Sequence, residues 1–209
     1  MNNRIIQDEV LCSLAKENIK YIPAAISNRH VHLSAEHVEA LFGKGYKLTV
    51  SKPLSQPEQF ACNETVEIFG KKGSIKNVRV LGPSRKETQV EITVTDSFTL
   101  GIEPVVRCSG ALIETPGCMI KGPMGEIRIE RGVIVSLRHV HMSAQQALDF
   151  GLKNNEFISL KKTGLRETTL EMVFVRCGDA HELELHIDTD EANAAMIKNG
   201  EFLEIVHSG

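Results

Sequence analysis

A nine-residue segment occurs twice in this chain, and it narrows the fold more than any other feature. Residues 27–35 read SNRHVHLSA and residues 136–144 read SLRHVHMSA, identical at seven of nine positions and separated by 109 residues. Solenoid and propeller repeats recur every ~20–50 residues, so a separation this long points to two related domains. The pattern continues beyond the identities. SAEHVEALFGKG precedes YKLTV, and SAQQALDFGLKNN precedes EFISL. Ser34 and Ser143 each stand where a helix N-cap belongs, accepting from early backbone N–H groups, and Ser143 with Gln146 fits a capping box. A third unit, TDEANAAMIKNG before EFLEIV, has the same order of helix, Asn-Gly stop and strand.

The rest reads mainly as strand. VEIFG, KNVRVLG, TQVEITVT, EIRIERGVIVSLR, LEMVFVRC and HELELHI alternate or cluster β-branched residues between Gly and Pro turn signals. The expected fold is mainly β with short helices: two related β-barrel domains with the active site between them. Residues 1–20 form an N-terminal helical extension, residues 21–115 the first barrel and residues 116–209 the second, with a Gly- and Pro-rich segment, GALIETPGCMIKGPMGE, near the division. The chain can cross between the domains.

Composition excludes several classes. A formal net charge of −3 argues against a nucleic-acid partner. No apolar run approaches the roughly 18 residues of a membrane span, and the N-terminus lacks a secretory h-region. The five cysteines are dispersed without a C-x-x-C pair, which fits reduced thiols in a cytoplasmic protein.

Chemistry concentrates in the histidines. On a strand, residues two apart share a face, so His30 with His32, and His139 with His141, aim two imidazoles at one point while Val31 and Val140 face the other way. Neutral imidazole nitrogens suit zinc, and a catalytic site needs a third protein ligand plus an open position. For the second pair His186 is the best-placed third ligand, at a strand end before a helix start near Thr189 and Asp190; His181, read as an exposed turn residue, and His207 compete with it. His37 reads as helix surface. For the first pair no further histidine has a claim, so a carboxylate is the economical ligand, yet on pattern alone Glu91 reads as an exposed strand residue. Arg85, in a turn set by Gly82-Pro83, can hold an anion through its planar fork, although a solvated loop arginine has the same pattern. Arg107, before Ser109-Gly110, is another candidate anion ligand. By parity Arg29 and Arg138 face away from the histidines and read as ion-pairing residues.

Together SNRHVHLS, GPSRKETQVEITVTD, PVVRCSG, RHVHMS and HIDTDEANAA, spanning about residues 22–206, resemble the PduL-type phosphotransacylases, or phosphate propanoyltransferases. The resemblance implies two β-barrel domains, two zinc ions between them, and interconversion of acyl-CoA (propanoyl or acetyl) plus phosphate with acyl phosphate plus coenzyme A. It implies a first zinc on His30, His32 and Glu91 with the coenzyme A sulfur as a further ligand. It also implies a second zinc on His139, His141 and His186, with Arg85 binding phosphate; Arg107 and Ser109 are further substrate-binding candidates.

Small-molecule substrates are the expected partners. The resemblance also suggests residence in a bacterial microcompartment serving propanediol degradation, with residues 1–20, striped by Ile6, Val10 and Leu14, contacting shell or core proteins. The same apolar stripe would suit self-association into a homo-oligomer. The competing functions are a dinuclear zinc hydrolase of a phosphate or thioester, whose usual bridging carboxylates no Asp- or Glu-rich motif here suggests, and a non-enzymatic scaffold.

Overall fold

The computed structural model describes residues 20–206, and the expectations for residues 1–19 and for His207 lie outside them. In chain order the elements are β1 (Tyr21–Ser27), β2 (His30–Ser34), α1 (Ala35–Phe42), β3 (Val50–Pro53), β4 (Phe60–Phe69), β5 (Ser74–Arg85), β6 (Gln89–Glu91), α2 (Val94–Leu100), β7 (Val106–Arg107), β8 (Cys118–Lys121) and β9 (Glu126–Ile129). They continue with β10 (Val133–Ser136), β11 (His139–Met142), α3 (Ala144–Phe150), β12 (Phe157–Lys162), β13 (Thr168–Cys177), β14 (Glu184–Asp188), α4 (Thr189–Ala195) and β15 (Phe202–Val206). The protein is mainly β, and the helices among the described residues are seven or eight residues long.

Two compact units divide the chain, one containing Asn28–Leu137 and the other the described residues on either side of it. The flanking residues form a closed six-stranded barrel in the order β1-β14-β11-β13-β12-β15, with β1 returning to pair antiparallel with β15. Its interior is filled by Ile22, Val140, Leu160, Val173, Val175, Leu185 and Leu203, all with no exposed surface. Residues 28–137 form a nine-stranded curled sheet, a half-barrel, in the order β7-β10-β6-β2-β5-β4-β8-β9 with β3 beside β4. Val31, Leu33, Val80, Val90, Ile68 and Ile120 fill its core.

Strand periodicity sets what faces where. Val31 and Val140 are fully buried in their respective cores, so the flanking histidines lie on the opposite face of each strand. Burying a valine contributes about 1.5–3 kcal/mol. A one-residue slip would send it outward and both imidazoles inward, so core packing also fixes the direction of the histidines.

The helix starts follow local chemistry. Ser34 Oγ accepts from His37 N at 3.2 Å, and Ser143 and Gln146 cap each other reciprocally at 3.1 and 2.9 Å. TQVEITVT, expected as one strand, is instead divided. Only its first part pairs as β6, and α2 starts at Val94. Thr93 and Asp96 form a capping box there, with Asp96 N donating to Thr93 Oγ1 at 3.1 Å and Thr93 N to Asp96 Oδ2 at 3.2 Å, and these caps override the β preference of Val94 and Thr95. The expected Asn-Gly stop of the last helix also shifts. α4 ends at Ala195 and is capped by Met196, whose left-handed backbone (φ 55°) lets its N–H and that of buried Ile197 return to the carbonyls of Asn193 and Ala192.

Candidate metal centres

In the curled sheet, β2 lies between β5, parallel to it, and β6, antiparallel to it. The antiparallel register sets His30 opposite Glu91 and His32 opposite Gln89. Glu91 is therefore not the exposed strand residue its pattern suggested. Its face of β6 meets the histidine face of β2, and only 9% of its surface is exposed. Glu91 Oε1 lies 3.5 Å from His30 Nε2 and 3.9 Å from His32 Nε2. His30 Nδ1 faces the Asn28 carbonyl at 2.8 Å; a carbonyl only accepts, so Nδ1 carries a proton and the neutral ring presents its Nε2 lone pair to the cluster.

In the barrel, β11 lies between parallel β13 and antiparallel β14, with His139 opposite His186 and His141 opposite Glu184. His139 Nε2 and His141 Nε2 are 3.1 Å apart, and both rings lie within about 5 Å of the His186 ring. In each cluster, His30–His32–Glu91 and His139–His141–His186, one ligand atom per residue lies within 4.8 Å of every other. Two nitrogens bound to one tetrahedral zinc at 2.0–2.1 Å stand about 3.3 Å apart. The shortest separations, 3.1 Å between the His139 and His141 nitrogens and 3.5 Å between His30 Nε2 and Glu91 Oε1, are near that spacing, and the 3.9 Å from His32 to Glu91 is longer.

The electrostatics favour a bound cation. Burial, reinforced by His30 and Arg85, lowers His32 to about 3, and burial with His139 and His186 lowers His141 well below the imidazole range. Both rings are thus neutral near pH 7, the state in which imidazole binds metal. Burial alone would raise Glu91, but His30, His32 and Arg85 outweigh it and hold the carboxylate below its usual range. Burial pulls His30 down, and Glu91 with the Asn28 carbonyl more than offsets this.

Beside the first cluster lies a polar network. Arg85 Nη1 donates to Ser109 Oγ at 3.0 Å, and Ser109 Oγ donates to Glu91 Oε1 at 3.3 Å. Gln89, 1% exposed, donates from Nε2 to Glu91 Oε1 at 2.6 Å and to Ser109 Oγ at 2.8 Å, and its Oε1 accepts from Gly110 N at 2.7 Å. Arg85 does not sit in a turn. β5 continues past Gly82-Pro83 and, after a register shift, pairs Arg85 with Ser34, so strand pairing carries the guanidinium toward the cluster. Arg107 donates to the Val106 carbonyl at 3.0 Å at an exposed edge. His37, expected on the helix surface, is half-buried, with Nδ1 2.7 Å from Thr88 Oγ1.

Gln89 and Glu184 were missed as site residues, and His181, weighed as a ligand but read as an exposed turn residue, lies closer to the cluster than that reading allowed. His181 is half-buried, its ring centroid 4.5 Å from that of His141. Its ring folds over Gly178, where a Cβ would come within 2.9 Å of it, so any larger residue there would displace the ring. The other two belong to a second internal correspondence, which strand register reveals. Register partners of the two H-V-H strands, Arg79–Leu81 with Gln89–Glu91 in one unit and Phe174–Arg176 with Glu184–His186 in the other, keep a constant separation of 95 residues.

The chain is similar to known proteins over most of its length. The family model described as phosphate propanoyltransferase matches residues 23–198. The chain is 51% identical over 186 residues to the phosphate propanoyltransferase of Thermotoga maritima, covering 88% of this chain and 89% of that one. It is 45% identical over 201 residues to that of Clostridioides difficile, covering 96% and 95% respectively. It is 45% identical over 184 residues to that of Rhodopseudomonas palustris, covering 88% and 81%. The chain belongs to the phosphate propanoyltransferase family and is an acyltransferase.

Proposed function

We propose that the protein is a zinc-dependent phosphotransacylase that converts propanoyl-CoA or acetyl-CoA plus phosphate into acyl phosphate plus coenzyme A, and the reverse. The observation that carries this reading is the pair of buried three-donor clusters, each with ligand atoms within 4.8 Å of one another, in a chain of this family. His30, His32 and Glu91 would hold one zinc ion, and His139, His141 and His186 the other. Zinc at such sites supplies Lewis acidity and stabilises a thiolate at neutral pH, which suits a reaction whose leaving group or nucleophile is the coenzyme A sulfur.

The chain's own groups do the rest. Arg85 presents a fixed cationic fork that matches two phosphate oxygens. Ser109, held by Gln89 and Glu91, accepts from Arg85 and keeps that guanidinium in place beside the anion site. Phosphate then attacks the thioester carbonyl directly, without an acyl-enzyme. Family membership favours transfer over the hydrolase alternative. We assign the physiological setting to short-chain acid metabolism in a bacterial microcompartment, with residues 1–20 as the targeting segment.

The test is coenzyme A-dependent formation of thioester from propanoyl phosphate and acetyl phosphate, before and after chelation. Activity that disappears with the metal and returns with zinc supports the reading. A folded, zinc-loaded sample without activity refutes it.

A further inference from the structure

The two clusters are built on one plan but distribute their charges differently. Each H-V-H strand faces two positions of an antiparallel neighbour. In the curled sheet these hold Glu91 and Gln89, opposite His30 and His32; in the barrel they hold His186 and Glu184, opposite His139 and His141. Each set of four therefore contains one carboxylate, at the inner position in the first and the outer position in the second. Gln89 is an amide whose Nε2 donates to the inner carboxylate at 2.6 Å. Glu184, at the corresponding place, meets the inner imidazole: its Oε2 lies 2.8 Å from His186 Nε2.

A carboxylate can only accept in this contact, so Nε2 of His186 carries a proton, and in the metal-binding neutral ring the lone pair is the one on Nδ1. This is the reverse of His30, whose Nδ1 proton is held by the Asn28 carbonyl. We propose that Glu184 is the positioning residue of the three-histidine centre: it fixes the tautomer and orientation of His186 so that Nδ1 faces the ion, and it supplies the negative charge that the ligand set itself lacks. A carboxylate on the distal nitrogen of a metal-bound histidine raises the basicity of the ring and restricts its rotation, and losing it typically weakens metal binding 10–100-fold. Both side chains keep limited exposure, 21% for His186 and 17% for Glu184, so the contact is shielded from competition by bulk water.

This inference rests on the reading that the cluster binds zinc, and metal binding itself tests both. Competition with a chromophoric chelator gives the affinity of each site in the full chain, and Co²⁺ substitution gives its visible spectrum. In Glu184→Gln we expect affinity at one site to fall about 10–100-fold and its cobalt bands to shift, while the other site keeps wild-type values. Glu184→Asp should recover part of the loss. If the carboxylate acts through the ring, the Glu184→Gln effect should vanish in a His186→Ala background; an undiminished effect there overturns the proposal. So does a Glu184→Gln chain that binds both ions as the wild type does, or one that loses both while its circular dichroism and thermal melt are unchanged. Should Glu184→Gln fail to fold, the Asp variant carries the same comparison. A wild-type chain that binds no ion at a second site would instead refute the zinc reading.

Discussion

Arg29 grips Asp96 with one nitrogen, Nε lying 2.9 Å from both carboxylate oxygens, and the same carboxylate caps the backbone of Thr93 at the start of α2. The contact ties the residue just before the first H-V-H pair to the helix that follows Glu91. The barrel repeats it. Arg138 Nε lies 2.7 Å from Glu191, the capping-box residue of α4, which follows His186. As parity predicts, these arginines do not join the histidines; they pin the two chain segments that carry them.

Asp96 is almost fully buried while the Arg29 side chain is 37% exposed, so solvent screening makes the ion pair itself modest and the cap the larger contribution. Asp96→Ala should lower stability by about 1–2 kcal/mol, read as a lower urea midpoint at unchanged slope. Asp96→Asn, which keeps an acceptor for the cap, should lose less.

Glu91→Gln replaces the only carboxylate in the first ligand set by an amide. Metal content after dialysis against a weak chelator should fall from two ions per chain to about one, with transfer activity lost in proportion. An unchanged metal content would show that Glu91 is not a ligand.

Arg85 tests charge against geometry. Arg85→Lys keeps the charge but not the fork, so phosphate KM should rise about tenfold, with a smaller change in the KM for coenzyme A. Arg85→Ala should be worse, by a further ~10-fold or more. Equal effects on the two substrates would argue against a phosphate role for this side chain.

How much of this was legible in the sequence depended on identity. The H-V-H copies share seven of nine residues, so the histidines and the faces of Val31 and Val140 could be read directly. The second correspondence, QVEITVTD with ELHIDTDE, keeps only Ile92 and Ile187 identical. Its positions are equivalent by role: Thr93 and Asp188 are N-caps, and Asp96 and Glu191 close the capping boxes. Gln89 and Glu184 could not be recognised because neither residue type marks a ligand on its own. Pattern alone left Glu91 on an exposed face, and only the family resemblance made it a ligand, because the polar face of a strand looks the same whether it meets water or a neighbouring strand's imidazoles. Sheet order makes that difference, and β6 pairs with β2 across more than fifty intervening residues.

Cys62 and Cys118 set an alkaline limit on stability. Burial raises their thiols to about 11 and about 12, and neither is more than 8% exposed. Below about pH 8 a thiol is protonated in both the folded and the unfolded chain, so it makes stability no more sensitive to pH. Once pH passes the unfolded thiol value near 8.5, the unfolded chain releases protons that the folded chain keeps, and stability must decline until the folded values are reached. The denaturation midpoint should therefore fall progressively from about pH 9 upward, and a Cys62→Ala, Cys118→Ala double variant should show a shallower decline despite lower stability at neutral pH. Because thiolate is the reactive form, iodoacetamide at pH 8 should spare both residues in the folded protein and label them in urea. Labelling of either at the same rate in both states would place that thiol outside the core.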